Sequence, residues 1–542
     1  MGVLDDPADA LLAVQESLVR RLAGHLQSDE GGPVELLQTH ISHVLLTPRH
    51  AYKIKKAADL GFVDFRALSS RRWACEEELR LNRRTAPQLY QDVVGIGDEG
   101  QLLPLALEPK HDGAPRAKEY AVRMRRFAPG ARLDELLAAG RLTPGLADEL
   151  ADAIVDFHAR IAVVREGGFG TPDDVRRASG ENVAQLINLA RDPDERAVIQ
   201  RYSQWNDREE ARLGALFSAR HDGGFVRDGH GDLHLANVCL VDSRVTLFDC
   251  LEFNRHLRCV DVINDLAFLI MDLHARGASV LAWRVLNRYL EATGDYAAVP
   301  LLRYYVGYRA AVRLKVARLT DHAVSGGAAP GDDPGRCYVD LLRVMTKPFK
   351  RGIIISHGLA ASGKTALTQH LIEQWGAIRL RSDVERKRLH GLSALDRPDA
   401  SRVAQLYAPE ASEKTYAELA KLAEGIARAG YFAVVDATFL KHAQRERFRE
   451  VADRADIPFA IVHCEAPEAL LRERMELRRA AADDASDADL RVLNRQISEQ
   501  EALLPTECAQ AMFCDASLPL SHWACPQAWQ PLADKINGWP DV

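Results

Sequence analysis

The stretch His230–Asn254, HGDLHLANVCLVDSRVTLFDCLEFN, contains two acids and an amide at fixed spacings. Asn237 follows Asp232 by five residues, and Asp249 comes after a short apolar run. The apolar segments on either side of the polar residues 242–244 are typical of two short strands joined by a turn. Such a hairpin would bring Asp249 back beside Asn237.

These side chains suit phosphoryl transfer, in which an aspartate accepts the proton of an attacking hydroxyl, and an amide and a second aspartate hold magnesium. The spacing of Asp232 and Asn237 is similar to that of the protein-kinase catalytic loop. The variant HGDLH-x-x-N resembles the aminoglycoside phosphotransferase and choline kinase branch of that superfamily. The resemblance implies that Asp232 is the catalytic base and that Asn237 and Asp249 bind the metal. Taken singly, such residues also cap local turns.

A lysine and a glutamate upstream extend this resemblance. Lys53 lies in a predicted strand and is similar to the kinase lysine that contacts nucleotide phosphates. Lys55 lies on the same strand face and is the alternative. The next predicted helix carries Glu76, Glu77 and Glu78, one of which pairs with the lysine in such kinases. We expect Glu78 to form this pair.

The segment YAVRMRRF, residues 120–127, is typical of a strand that leads through a turn into a helix. In kinase-like folds this hinge joins two lobes and contacts adenine, so the resemblance implies that Met124 and Phe127 contact the nucleotide. Core packing is the alternative for both residues.

Two further aspartates, Asp261 and Asp265, lie at the start of a later predicted helix. They are similar to aspartates that brace the catalytic loop in aminoglycoside-kinase-like proteins. An acid near a helix N-terminus is also favoured by the helix dipole, and the two explanations are compatible.

A second nucleotide motif follows the apolar segment Gly352–His357 and precedes a helix predicted to extend through Trp375. It matches G-x4-G-K-[ST] in the strand–loop–helix context that the motif requires. Loop N–H groups cradle phosphate oxygens in such sites. The expected nucleotide-binding residues are Gly358, Leu359, Ala360, Ala361, Ser362, Gly363, Lys364 and Thr365.

Three positions in this loop carry particular expectations. Lys364 is expected to act in catalysis by reaching the terminal phosphates, and Thr365 is expected to hold magnesium. Ala361 stands where related kinases often have glycine. If the backbone has a positive φ there, alanine costs on the order of 1 kcal/mol.

The rest of this region predicts an acceptor site. Asp383 and Asp436 each follow a predicted apolar strand, and an arginine-rich helix comes later. Together they resemble the small P-loop kinases grouped with zeta toxins, gluconate kinase and the polynucleotide 5′-kinases. The resemblance implies that Asp383 is the general base, that Arg386 binds the acceptor and that Asp436 positions the metal. It also implies that Arg474 and Arg478 bring charge to the transferring group, with Arg478 catalytic. A solvated helix face is the alternative for these arginines.

The composition is that of an ordinary globular protein, with 47% hydrophobic and 27% charged residues. The 70 basic and 77 acidic residues are interspersed and give a net charge of −7. No basic block invites a nucleic acid or an anionic membrane, although a basic groove formed on folding is compatible with this charge. Nine scattered cysteines, without zinc-type pairs, and the lack of a signal peptide or membrane-length apolar run predict a cytoplasmic protein.

We therefore expect an α+β, bilobal protein-kinase-like domain of the aminoglycoside phosphotransferase type at residues 1–346. An α/β P-loop kinase domain of AAA type, with a parallel sheet, is expected at 347–542. This fusion resembles a bacterial bifunctional family, which implies two sites that use ATP or GTP and Mg²⁺ to phosphorylate hydroxyls of small molecules. The alternatives are polynucleotide 5′-hydroxyl kinase activity in the second domain, or one domain acting as a nucleotide-sensing regulator of the other.

Overall fold

The computed structural model of the chain describes residues 7–59, 61, 63–104, 116–323, 333–481 and 490–536. The chain forms two compact units, which are not continuous in sequence. Unit 1 consists of Met1–Arg177 and Ala215–Leu269, and unit 2 consists of Ala178–Gly214 and Ile270–Val542. Residues 270–346 thus group with the P-loop region rather than with the rest of the first predicted domain. The predicted division into domains at residues 1–346 and 347–542 stays a prediction.

The described ranges contain both strands and helices. The strands within them are β1 (Glu35–Gln38), β2 (Ser42–Leu46), β3 (His50–Lys55), β4 (Tyr90–Ile96), β5 (Leu102–Pro104), β6 (Glu119–Arg125), β7 (Val226–Asp228), β8 (Val238–Val241), β9 (Arg244–Leu247), β10 (Cys259–Asp261), β11 (Gly352–His357), β12 (Ile378–Arg381), β13 (Phe432–Asp436), β14 (Phe459–Glu465) and β15 (Ala511–Asp515).

The helices of the same ranges vary from one turn to eight turns in length. They are α1 (Pro7–Glu30), α2 (Leu68–Asn82), α3 (Leu133–Ala138), α4 (Pro144–Arg160), α5 (Pro172–Asn188), α6 (Pro193–Asp222), α7 (Arg255–Arg258), α8 (Val262–Ala275), α9 (Ser279–Thr293), α10 (Val299–Ala323), α11 (Arg336–Met345), α12 (Lys364–Trp375), α13 (Ser382–Leu389), α14 (Ala400–Leu406), α15 (Pro409–Arg428), α16 (His442–Arg454), α17 (Glu468–Ala481), α18 (Leu490–Glu499), α19 (Pro505–Gln510), α20 (Leu520–Trp523) and α21 (Gln530–Lys535). None of these helices is both long and apolar enough to span a membrane.

Unit 1 contains a six-stranded antiparallel sheet in the order β1-β2-β3-β6-β4-β5. On β3, Tyr52 and Ile54 pack into a core that also includes Leu22 of α1. Because side chains alternate along a strand, Lys53 and Lys55 both lie on the opposite face. The identification of this unit with a protein-kinase-like lobe stays a prediction.

The hairpin predicted after Asn237 is confirmed, since β8 and β9 pair antiparallel with Val238 opposite Leu247. The two turn residues, Asp242 and Ser243, have φ of +50° and +63°. Positive φ at both central residues is the geometry that matches the twist of a two-residue hairpin, and aspartate tolerates it better than most residues.

Unit 2 is built on a five-stranded parallel sheet in the order β12-β13-β11-β14-β15. This confirms the parallel α/β sheet predicted for the C-terminal region, while its edge strand β15 was not predicted. The central strand β11 is fully buried. Its neighbours are reached by crossovers on either side, and ligands bind at the carboxyl ends of strands at such a switch point.

Candidate functional site

The segment around Asp232 in unit 1 holds its polar side chains by internal hydrogen bonds. Asn237 is buried, and its Nδ2 donates to the side chain and to the main-chain carbonyl of Asp232, both at 2.9 Å. His234 Nε2 lies 3.2 Å from the same carboxylate. About a third of the Asp232 side chain, 35%, is exposed. The predicted base and one predicted metal ligand are therefore neighbours, with the base accessible to an incoming molecule.

A buried carboxylate from a later helix holds the backbone of this segment in place. Asp265, in the first turn of α8, accepts hydrogen bonds from the N–H groups of His230 at 2.7 Å and Gly231 at 2.9 Å. Burial alone would raise the pKa of Asp265, but His158 and His230 lower it to about 2. Asp261 pairs with Arg220 at 2.6 Å. Of the two aspartates predicted to brace the loop, Asp265 thus makes the direct contact.

The hairpin brings the chain back beside Asn237 at Asp249. The N–H of Phe248 donates to the carbonyl of Asn237 at 3.0 Å. Asp249 then adopts a φ of +63°, a left-handed conformation that aspartate tolerates. Its Oδ1 accepts a hydrogen bond from Lys53 Nζ at 2.5 Å. The structure thus brings the predicted metal ligand next to the predicted phosphate-binding lysine.

Three buried charges, those of Lys55, Glu78 and Glu252, also surround this lysine. Lys53 Nζ lies 3.0 Å from Glu78, and Lys55 Nζ lies 2.6 Å from both Glu78 and Glu252. Burial opposes the charge of Lys53, but Asp249, Glu78 and Glu252 raise its pKa well above the ordinary value. Burial likewise opposes the charge of Glu78, yet the two lysines lower its pKa to about 2.

This arrangement distinguishes the alternatives left open by the sequence. Glu76 is exposed and pairs with an arginine of its own helix, whereas Glu77 is half-buried and contacts one arginine of that helix and Arg258. Glu78 contacts both lysines, whereas Asp249 is bonded to Lys53. The role of this pair in nucleotide binding stays a prediction. Glu252, in the apolar run that follows Asp249, was not predicted as part of the cluster.

The two predicted adenine contacts are partly buried in unit 1. Met124 and Phe127 both pack against an apolar cluster that includes Val122 and Cys239. The rings of Phe127 and Phe248 meet edge to face, with centroids 5.4 Å apart. Both residues thus lie beside the hairpin, and their contact with the nucleotide stays a prediction.

In unit 2, the phosphate-binding loop has an unusual main chain. Gly358 has a φ of +145°, and a Cβ there would lie 2.4 Å from the carbonyl oxygen of Cys464. Gly363 has a φ of +83° and Ala361 a φ of +63°. The left-handed conformation considered for Ala361 is thus present, and it costs on the order of 1 kcal/mol for a residue with a Cβ. Three residues of the loop therefore have a positive φ. Two of them are glycines, which adopt it readily, and the third is an alanine, which adopts it at a cost.

The reactive side chains of the loop contact groups within unit 2. Lys364 Nζ donates to the carbonyl oxygens of Gly358 at 3.1 Å and Leu359 at 2.6 Å. Thr365 Oγ1 donates to Asp436 Oδ2 at 2.7 Å. A hydroxyl and a carboxylate this close fit Mg²⁺, which prefers oxygen ligands and is usually held by one or two carboxylates plus substrate phosphates. The two predicted metal ligands of this unit are therefore together.

A cavity of about 710 Å³ joins the loop to the predicted acceptor residues. Asp383 lines it together with Lys364, Thr365 and Asp436. The Oδ1 atom of Asp383 accepts hydrogen bonds from Arg386 Nη1 at 2.8 Å and from Tyr407 Oη at 3.2 Å. The Arg386 guanidinium also lies over the Tyr407 ring, 4.4 Å from its centroid. The carboxylate is thus held in one orientation beside the phosphate-binding loop.

Further cations and amides line this cavity. Arg474 belongs to the lining and donates to the Ala516 carbonyl at 2.8 Å. Arg495 also lines it, and Gln496 accepts a hydrogen bond from the Ala360 N–H at 2.8 Å. The predicted catalytic residue Arg478 lies in α17, but its side chain is outside the described residues. Tyr407, Arg495 and Gln496 were missed because no local motif marks them.

A protein family described as an AAA domain matches residues 353–503. This segment contains the phosphate-binding loop, Asp383 and Asp436. The C-terminal region of the chain therefore carries a P-loop kinase-like domain.

Curated relatives extend over most of the chain. Uncharacterised proteins of Mycobacterium bovis and of two strains of Mycobacterium tuberculosis are each 29% identical over 459 residues. The match covers 84% of this chain and 88% of each relative.

Solved structures align with about a third of the chain. A sugar kinase from Janibacter is 20% identical, covers 33% of this chain and 93% of its own, and has a TM-score of 0.26. A gluconokinase from Sinorhizobium meliloti is 21% identical, covers 34% and 94%, and has a TM-score of 0.26. An APS kinase from Mycobacterium tuberculosis is 19% identical, covers 35% and 99%, and has a TM-score of 0.24. Similarity at this level does not define an activity for this chain.

Proposed function

We propose that this protein is a magnesium-dependent phosphotransferase with two nucleotide sites, which transfer the γ-phosphoryl group of ATP or GTP to hydroxyls of small molecules. The observation that carries the proposal is the cavity of unit 2. One cavity of about 710 Å³ is lined by the phosphate-binding loop, by the Thr365–Asp436 pair and by the oriented carboxylate of Asp383. These are the groups that phosphoryl transfer to an alcohol requires.

In unit 2, the contacts support the following roles. Lys364 moves from the loop carbonyls to the terminal phosphates once nucleotide binds. Asp383 accepts the proton of the acceptor hydroxyl. The oxygen of that hydroxyl bonds to the γ-phosphorus, while the bond between the γ-phosphorus and the β–γ bridging oxygen breaks and the nucleoside diphosphate leaves. Thr365 and Asp436 would hold magnesium, which neutralises charge on the phosphate oxygens when bound. Arg386 and Tyr407 keep Asp383 turned toward the acceptor.

In unit 1, the same chemistry is supported by a different set of residues. Asp232 is the proposed base and is partly exposed, while Asn237 and Asp249 are the proposed metal ligands. Lys53, held by Glu78, is the proposed phosphate contact. Asp265 keeps the backbone at His230 and Gly231 in place, so it acts on Asp232 through the main chain.

A screen of metabolite extracts with γ-labelled ATP tests this proposal, with the wild type compared against Asp232→Asn and Asp383→Asn. Each variant keeps the size of the side chain but removes the proton acceptor. We expect each to lose its own set of labelled products by about 10²-fold or more, since a general base contributes about 10²–10⁴-fold. Asp453→Asn, at an exposed position on α16, is the control and should leave the products unchanged.

The pattern of lost products distinguishes the outcomes. Separate products lost in the two active-site variants support two sites with two acceptors. Loss of all products in Asp383→Asn alone would contradict transfer at the first site. Products unchanged in both variants would contradict the assignment of either aspartate as a base.

A further inference from the structure

Helix α9 presents an acid to edge strand β12 of the parallel sheet. Glu291 Oε2 lies 3.4 Å from Arg379 Nη2, and its Oε1 lies 3.0 Å from Arg381 Nη1. The two arginines are two residues apart on a strand, so their side chains leave the same face. One carboxylate therefore reaches both.

Other nitrogen atoms of the two guanidinium groups lie close to the predicted magnesium ligands. Arg379 Nη1 donates to the main-chain carbonyl of Thr365 at 3.2 Å. Arg381 Nε lies 4.0 Å from Asp436 Oδ2, the atom that also accepts the Thr365 hydroxyl at 2.7 Å. Glu291 is thus connected to both predicted metal ligands of unit 2 through one arginine each.

The same helix also fixes the main chain of this strand. Asn287, one turn before Glu291, donates from Nδ2 to the Ala377 carbonyl at 2.9 Å. Its Oδ1 accepts the Arg379 N–H at 2.7 Å. A side-chain amide here makes the hydrogen bonds that a further strand would make to a sheet edge. Both the main chain and the cationic side chains of β12 are therefore held by α9, which lies outside the matched segment 353–503.

A cation beside a magnesium site is unfavourable unless it is neutralised. Arg381 stands close enough to Asp436 to compete with a metal ion for its carboxylate and to repel that ion. Glu291 is 20% exposed, so its attraction for the arginines is less screened than that of a surface pair. Burial raises the pKa of Glu291, but Arg381 and Arg379 lower it overall, so the group is ionised at neutral pH.

We propose that Glu291 is a positioning residue for the magnesium–nucleotide site of unit 2. It holds Arg379 and Arg381 and neutralises their charge, so that Asp436 stays available to the metal. This inference rests on the proposed function of the P-loop cavity and assigns part of that site to a helix that precedes the P-loop by about 70 residues in sequence.

The test measures binding of a fluorescent, non-hydrolysable ATP analogue to the full-length chain while Mg²⁺ is titrated. The part of the signal that Lys364→Ala removes is assigned to the site of unit 2. Removing the acid in Glu291→Gln frees Arg381 to pair with Asp436, so the Mg²⁺ midpoint should rise about fivefold or more. In Glu291→Gln/Arg381→Gln the competing cation is gone, and the midpoint should return to within about twofold of wild type. Rescue by a second substitution is a result that a merely structural role does not produce.

Arg284→Gln is the matched control. Arg284 also lies on α9 and pairs with Glu373 of α12 at 2.8 Å, but this ion pair does not reach Thr365 or Asp436 in the described contacts. Its Mg²⁺ midpoint should stay within about twofold of wild type. A rise equal to that of Glu291→Gln would mean that α9 acts only by packing, and would overturn the inference.

Two further outcomes decide the remaining cases. An unchanged midpoint in a folded Glu291→Gln protein, or failure of the double variant to restore it, would overturn the inference while leaving the proposed function intact. If Glu291→Gln does not fold, Arg381→Gln alone decides, because its midpoint should equal or fall below that of wild type, and a rise would be contrary to the proposal. If Lys364→Ala removes none of the wild-type signal, the proposed nucleotide site of unit 2 itself fails.

Discussion

The two candidate sites hold their charged groups by different means. In unit 1 the predicted phosphate-binding lysine is held by side chains, since Lys53 lies between Asp249 and Glu78. Glu78 in turn is shared with Lys55, which also contacts Glu252. Lys53, Lys55, Glu78 and Glu252 are buried and depend on one another, while about a third of the Asp249 side chain is exposed. Loss of one partner therefore leaves another charge buried without compensation.

In unit 2 the corresponding lysine is held by the main chain. Lys364 contacts carbonyl oxygens of its own loop, and the shape of that loop depends on positive φ at Gly358, Ala361 and Gly363. Substitutions in the two units should therefore act on different properties of the molecule. In unit 1 they disturb a charge network, whereas in unit 2 they change the backbone conformation that forms the phosphate cradle.

The largest expected effect is on the charge network. Glu78→Gln removes the anion that Lys53 and Lys55 share, so it should lower the free energy of unfolding of unit 1 by about 3–5 kcal/mol. Urea unfolding followed by fluorescence measures this change. Glu76→Gln, on the exposed face of the same helix, should cost less than about 0.5 kcal/mol. Equal costs for the two variants would contradict the network.

The next largest expected effect is a change in the free energy of unfolding with pH. The folded-state pKa of Asp265 is about 2, below its ordinary value of 3.8, so its contribution to stability is complete above about pH 4 and is lost as the pH falls through 2. The shift corresponds to roughly 2 kcal/mol. The stability difference between wild type and Asp265→Asn should shrink by that amount between pH 5 and pH 2. A difference that stays constant with pH would show that His158 and the loop amides do not favour the ionised form.

The smallest effect tests the backbone of the cradle. Ala361→Gly relieves a left-handed conformation and should raise the free energy of unfolding of unit 2 by about 0.5–1 kcal/mol. Ala360→Gly is the matched control at the adjacent position, where φ is not positive, and should lower it by about 1 kcal/mol. Thermal unfolding measures both. Destabilisation by both changes would mean that Ala361 is not strained.

Features set by local pattern could be predicted from the sequence. The alternating apolar runs around Asp242 and Ser243 specify a hairpin, and the loop ending in Lys364 is specified by its glycines and flanking strand. The sequence favoured Glu78 over Glu76 and Glu77 only by its position relative to the leucines that follow, and the contacts of Glu78 with both lysines agree with that choice.

Contacts between distant segments could not be predicted in this way. Glu252 and Tyr407 carry no motif, and their partners come from other elements of the fold. Glu291 is 88 residues from Arg379, and nothing in either segment signals that they meet. The grouping of helices from residues 270–346 with the parallel sheet likewise depends on packing that sequence spacing does not encode.

The central claim, that one chain binds two nucleotides at independent sites, is tested most directly by binding stoichiometry. Equilibrium dialysis with a non-hydrolysable ATP analogue and Mg²⁺ should give two molecules per chain for wild type. Lys53→Ala and Lys364→Ala should each give one, and the double variant none. A stoichiometry of one in wild type that Lys364→Ala abolishes and Lys53→Ala leaves unchanged would contradict the nucleotide site in unit 1.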